Sequence, residues 1–392
     1  MAKGFDYGTA ILVAATKNKK NETIIKSERN CFIDVGKDFE DMIEKSEYNY
    51  IVDEENGEEK FYIIGKDAIV LDNLYSHKDD SGTRVSKLRR PMASMVINSN
   101  TEKKAIKMLK HISQSLLGKP SYEGEVCVLS VPSAPLDGTI NTTFHSSMCE
   151  SFVKELGYDT VILNEALAVV YATNPTAEVD GEKLNFTGIG MSFGGGGSNG
   201  CVAYKGKDTI RLSVAKGGDW IDSEVSKVTP LSSSQVTVAK EQGVRIGKSN
   251  DLKKLDLANP DYEDEVLGAL YIYYRALIQE VVENFKKAFL KEGTTFNAPL
   301  EVTISGGTSK PEGFCELVKK VIDDVGWPFE IKEVRKAKEP LQATAIGCLT
   351  AAISREKKNK VQQQKVEEPT PEEPKAEEAK VEEPTPEEPK GE

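Results

Sequence analysis

Phe186-Thr-Gly-Ile-Gly-Met-Ser192-Phe-Gly194-Gly-Gly-Gly197-Ser198-Asn199-Gly-Cys-Val-Ala-Tyr-Lys205 reads as an apolar strand, a run of four glycines and a second strand. Glycine lets the backbone reach positive φ and can present consecutive amide protons in a concave nest, a surface that suits a phosphate chain. A tight hairpin needs only one or two glycines, so four in a row favour a ligand loop over a plain turn.

The chain around this loop has 392 residues, enough for two to three domains and an ample core. No run approaches the ~18 apolar residues of a membrane helix, and Met1-Ala-Lys-Gly-Phe5 lacks the apolar core of a secretion signal. Six cysteines, scattered without a CxxC pair, suit buried thiols in a reducing compartment, so a cytosolic location is expected. His77, His111 and His145 lack HxxxH spacing, and no zinc site is expected. The net charge is -12, and residues 361–392 carry eleven Glu against four Lys. The rest is therefore only mildly acidic, and no basic stripe for nucleic acid stands out.

Near the start, Asp6-Tyr-Gly8-Thr9 closes one strand and opens the next. An acid followed by a glycine and a hydroxyl could hold a hydrated cation and a phosphate; it could equally be a hairpin turn with one exposed Asp. Glu165 begins an almost wholly apolar helix just after a strand. It can simply favour the helix N-terminus, or it can serve a ligand. Lys216-Gly217-Gly218-Asp219 precedes a further helix, and Leu300 to Ser305 runs as a strand into Gly306-Gly307-Thr308. Three strand-then-glycine junctions facing one cleft would bind phosphates and a nucleoside together, as ligands sit at the carboxyl ends of strands in α/β proteins. Both halves begin with a hairpin and a third strand, so they are expected to share one topology. A long amphipathic helix is expected over about 261–291 and a last one over 341–353. Lys365-Val-Glu-Glu-Pro-Thr-Pro-Glu-Glu-Pro-Lys375 recurs unchanged at 380–390, a disordered acidic tail by composition, acting as a spacer or as the docking segment of a protein partner.

Taken in order, these junctions resemble the actin superfamily, which includes actin, bacterial MreB, FtsA, ParM and the ATPase domain of heat-shock chaperones. The resemblance covers residues 1 to about 356 and is nearest to MreB-like and archaeal actin-like proteins. Asp6 to Thr9 is similar to the first phosphate loop, DxGT, and residues 88–109 to the MreB segment before its first long helix. Asn164-Glu165-Ala166 resembles the first connecting helix, and Phe193 to Ser198 the second phosphate loop. Gly217-Gly218-Asp219 is similar to the GGD segment, and Ile304 to Phe314 to the adenosine motif.

The resemblance implies a bilobed α/β fold, two ribonuclease-H-like halves with small inserted subdomains and a nucleotide cleft between them. Residues 1–158 with an insert at about 36–98, completed by 341–356, would form one lobe; 159–340 with an insert at about 223–259 would form the other, and 357–392 the tail. ATP or ADP with Mg²⁺ would bind in the cleft. Asp6 would hold the hydrated metal, with Gly8, Thr9, Gly194, Gly195, Gly196, Gly197 and Ser198 around the phosphates. Glu165 would orient the attacking water, and Gly218, Glu241, Gly306, Gly307 and Thr308 would surround the nucleoside. Ser192 stands where most of the family carries a metal-side Asp. A hydroxyl cannot supply that charge, so hydrolysis is expected to be slow and Ser192→Asp to raise its single-turnover rate. The implied role is an ATPase that polymerises with itself into cytoskeletal filaments, without membrane insertion. A nucleotide-dependent switch and a small-molecule kinase are the alternatives.

Overall fold

The computed structural model describes residues 2–36, 41, 43, 45–55, 57–75, 77–78, 84–85, 87–135, 140–245, 251–367 and 391. The chain falls into two compact units, Met1–Glu356 and Lys357–Glu392. The first is built on two five-stranded sheets of the same design.

In the first sheet, β1 (Lys3–Tyr7), β2 (Ile11–Lys17) and β3 (Thr23–Arg29) form an antiparallel meander. Two later strands, β4 (Val126–Val131) and β5 (Asp159–Asn164), add in parallel on the other side of β1, giving the order β5-β4-β1-β2-β3. The second sheet repeats this with β6 (Gly188–Phe193), β7 (Ser198–Tyr204), β8 (Lys207–Val214), β9 (Leu300–Ser305) and β10 (Ile331–Lys336), in the order β8-β7-β6-β9-β10. The shared topology expected from element order is therefore present. β4, β6 and β9 are buried along their whole length, as interior strands of sheets covered on both faces should be.

Helices α1 (Ala105–Leu117) and α2 (Thr142–Lys154) cover one face of the first sheet. On the second sheet the outer face carries α4 (Gly218–Val228), α6 (Glu265–Glu292) and α7 (Phe314–Val325), the last two meeting around Phe285, Phe289 and Trp327. A short α5 (Ser233–Gln242) sits beside α4, opened by a capping box in which Ser232 and Gln235 bond each other's backbone. Two helices of small residues fill the remaining faces. One is α3 (Glu165–Thr173), whose Ala166, Leu167 and Val170 pack on Cys201 and Ala203 of the second sheet. The other is α8 (Ala343–Glu367), whose Ala345, Cys348 and Leu349 pack on Val13, Val126 and Val128 of the first. They cross at Gly347, where a Cβ would lie 1.7 Å from the Ala168 carbonyl oxygen. That close crossing holds the start of α3, and so Glu165, against both sheets.

A smaller three-stranded sheet is made by Phe32–Val35, Glu58–Ile64 and Tyr50–Glu55 in that order, with the helix Lys66–Tyr75 on it. Its first strand lies ahead of residue 36, where the sequence reading began the insert. Helix α8 runs past the expected end at 353, because Lys, Gln and Glu after Ser354 have good helix propensity. The exact repeat lies outside the described residues beyond Glu367. No helix of the described residues is long and apolar enough to cross a membrane.

Candidate functional site

The turns at the ends of β1 and β6 open into one cavity of about 590 Å³. Asp6, Gly8, Thr9, Glu165, Ser192, Gly194, Gly195, Gly196, Gly197, Gly218, Glu241, Gly306, Gly307 and Thr308 all line it. Ser198 alone of the expected site residues does not. It is fully buried in β7, and its hydroxyl donates to the Lys216 carbonyl at 2.9 Å.

None of the four glycines from 194 to 197 adopts a positive φ, contrary to the conformational reason first given for them. They are required for space. A Cβ on Gly196 would stand 2.5 Å from Thr9 Oγ1, and one on Gly197 2.2 Å from Met95 Sδ. The glycine backbone of the second turn therefore packs directly on the Thr9 side chain of the first turn and on Met95. Three of the four carbonyls of the second turn are bonded: Gly194 accepts from Gly218 N at 3.0 Å and Thr308 Oγ1 at 2.8 Å, Gly195 from Asp219 N at 2.9 Å and Gly197 from Gly194 N at 2.9 Å. In the first turn, Asn30 bonds back to the carbonyls of Gly8 and Ala10. Among the described residues no protein acceptor takes the amides of Gly195 to Gly197. With carbonyls tied down and amides free, both turns offer positive dipole ends to an anion.

Two carboxylates stand at the floor. Asp6, half-buried in β1, accepts from Ser130 Oγ at 2.7 Å. Burial pushes its carboxyl above the usual carboxylate range, and the Ser130 bond only partly opposes this. Glu165 is pushed up too, first by burial and then by the charge of Asp6, against a bond from Ser192. Asn164 caps α3, accepting from Leu167 N at 3.1 Å, so Glu165 is fixed as the first helical residue. Among the described residues no cationic side chain bonds either acid. Two neighbouring half-buried carboxylates without a counter-charge fit a hydrated divalent cation, which would supply it.

At the far end, Lys240 of α5 bonds Asp222 Oδ1 of α4 at 2.7 Å and the Gly218 carbonyl at 3.1 Å. Thr237 donates to the second oxygen of Asp222 at 2.7 Å. Burial raises the Asp222 carboxyl, with Lys240 pulling it back. Tyr274 of α6 brings a wholly buried hydroxyl with no partner among the described residues. Arg90 meets Asp219 at 3.0 Å near the rim. The sequence reading missed Asn199, Lys240, Asp222, Tyr274 and Arg90. Asn199 was within reach, because a four-residue turn pairs Phe193 with Ser198 and so sets Ser192 opposite Asn199.

The family model described as Volactin matches residues 1–352. Among solved structures, a MamK double helical filament aligns with a TM-score of 0.60 at 16% identity, over 90% of this chain and 98% of its own. MreB5 of Spiroplasma citri bound to AMPPNP gives 0.53 at 14% identity, over 92% of this chain and 98% of its own. A non-polymerising MamK mutant bound to AMPPNP gives 0.51 at 14% identity, over 90% and 98% respectively. No curated protein sequence matches. At these identities the likeness establishes the fold, which is that of the actin superfamily.

Proposed function

The chain belongs to the Volactin family, and from that premise we propose that it is an actin-like cytoskeletal protein that binds ATP with Mg²⁺ in the cavity and polymerises into filaments. The observation that carries this reading is the convergence of three strand-then-glycine junctions and two half-buried carboxylates on one cavity. Solved relatives of the same fold support it: one is a double helical filament and others hold AMPPNP. The cavity would separate a lobe of residues 1–158 and 341–356 from a lobe of residues 159–340.

Asp6 would hold the hydrated cation through water, while amides and hydroxyl of Gly8, Thr9 and Gly194 to Gly197 clasp the phosphates. Glu165 would orient the attacking water and accept its proton. Gly218, Glu241, Gly306, Gly307 and Thr308 would surround the nucleoside, with Lys240 and Tyr274 added to that set. When bound, Mg²⁺ supplies charge neutralisation at the phosphate oxygens; the protein's share is positioning. Ser192 can still accept a bond from a cation-bound water, but it brings no charge, so cleavage is slow.

Sedimentation with ATP, with ADP and without nucleotide, followed by electron microscopy, tests the proposal. Nucleotide-dependent pelleting of ordered filaments is expected. A chain that stays monomeric at high concentration with every nucleotide, yet binds labelled ATP, would be a switch and not a filament. Absence of ATP binding would remove both readings.

A further inference from the structure

Each oxygen of Glu165 is taken by a neutral donor from the second sheet. Ser192 Oγ donates to Oε1 at 2.7 Å, and Asn199 Nδ2 donates to Oε2 at 2.8 Å. Antiparallel pairing of β6 and β7 sets these two residues directly opposite each other, so their side chains leave one face of the sheet together. Asn199 is itself held in orientation. Ser213 Oγ donates to its Oδ1, and Met95 Sδ lies 3.7 Å from its Nδ2. A carboxylate only accepts, so the amide nitrogen must face Glu165. Ser192, Asn199 and Ser213 are each 2% exposed or less, so bulk solvent has little access to these bonds.

We infer that Ser192 and Asn199 form a neutral clamp on Glu165 and act as positioning residues for the water that attacks the terminal phosphate. The inference rests on the cavity being a nucleoside triphosphate site. Two donors use one lone pair on each carboxylate oxygen and leave the others for a water. Neutrality is part of the device: Asp6 already acts on Glu165, and a carboxylate at 192 or 199 would add a third negative charge to one cluster.

Asn199→Asp keeps the shape of the side chain but loses its donor and adds charge, whereas Asn199→Ala loses donor and volume without adding charge. Under the clamp, single-turnover cleavage of saturating Mg²⁺-ATP falls about 10-fold in Asn199→Ala and roughly 100-fold in Asn199→Asp. The affinity for AMPPNP stays within about 3-fold of wild type in both. A packing role reverses that order, because Asp preserves the volume that Ala removes. In the nucleotide-free chain, Ser192→Ala and Asn199→Ala should lower Tm clearly with Glu165 present and little in a Glu165→Ala background. Additive Tm losses, an Asn199→Asp rate equal to or above that of Asn199→Ala, or a wild-type chain that binds AMPPNP but cleaves no ATP overturns the inference. A wild-type chain that binds no nucleotide overturns the reading beneath it, and the Tm cycle then shows separately whether the clamp exists.

Discussion

Asp6 and Ser192 occupy corresponding places in the two sheets: each is the penultimate residue of the strand that enters a cavity-lining turn. Each also faces a serine on the parallel neighbour, Ser130 for Asp6 and Ser305 for Ser192. Ser130 donates to Asp6 at 2.7 Å. The Ser305 hydroxyl, equally buried, has no partner among the described residues. The second turn thus keeps the donor that a carboxylate would use, while its own hydroxyl has been turned to Glu165. The first sheet brings cation-side charge, and the second brings neutral donors that hold the acid between them.

The largest way to break this division of labour is at Asp6. Asp6→Ser makes the first turn like the second, and single-turnover cleavage of ATP should fall by about 100-fold or more, with the Mg²⁺ dependence of binding lost. Retention of Mg²⁺-dependent binding would place the cation elsewhere.

Next comes Glu165, through pH. Burial raises both acids above their unfolded values, and the Asp6 charge raises Glu165 further. A carboxyl raised in this way favours folding fully only below its unfolded pKa, and that contribution is lost as pH rises through the folded value. In the nucleotide- and cation-free chain, Glu165→Gln should therefore stabilise at pH 8, by on the order of 2 kcal/mol, and change little near pH 4. Equal Tm changes at the two pH values would show that Glu165 is not held in a charge-disfavouring site.

Ser192→Asp sharpens the comparison further by giving Ser305 an acceptor. Mg²⁺ affinity measured by calorimetry should rise about 10-fold, while the cation-free Tm at pH 8 falls because a third carboxylate joins the cluster. Charge alone would also predict faster cleavage, but an ionised Asp cannot donate to Glu165, so the clamp predicts none. Stopped-flow single turnovers decide between the two. The smallest effect is expected from the acidic repeat: removing residues 368–392 should leave the filament yield in sedimentation unchanged, and a lost pellet would give the repeat a part in assembly.

Much of this arrangement was legible in the chain. Glycine clusters at the ends of apolar strands marked all three junctions, and the acid at the head of α3 was readable as the start of a helix after a strand. The reason for the glycines at 194 to 197 was not legible. They permit the approach of Thr9 and Met95, residues about a hundred or more positions away, and nothing local encodes that crowding. Lys240 and Tyr274 were hidden for a similar reason. On their own helices they look like an ordinary charged residue and an ordinary core residue, and only the packing of α4, α5 and α6 turns them toward one cavity.

The sequence by itself determined the repeated order of elements along the chain, the placing of the glycine turns and the residue at 192, because each follows from local hydrophobic pattern or residue identity. Tertiary structure decided what Ser192 does instead. Its hydroxyl reaches Glu165 because α3 is held between the sheets at the Gly347 crossing. A hydrogen bond depends on distance and direction, and for residues 27 positions apart both are set by how the helices and sheets pack.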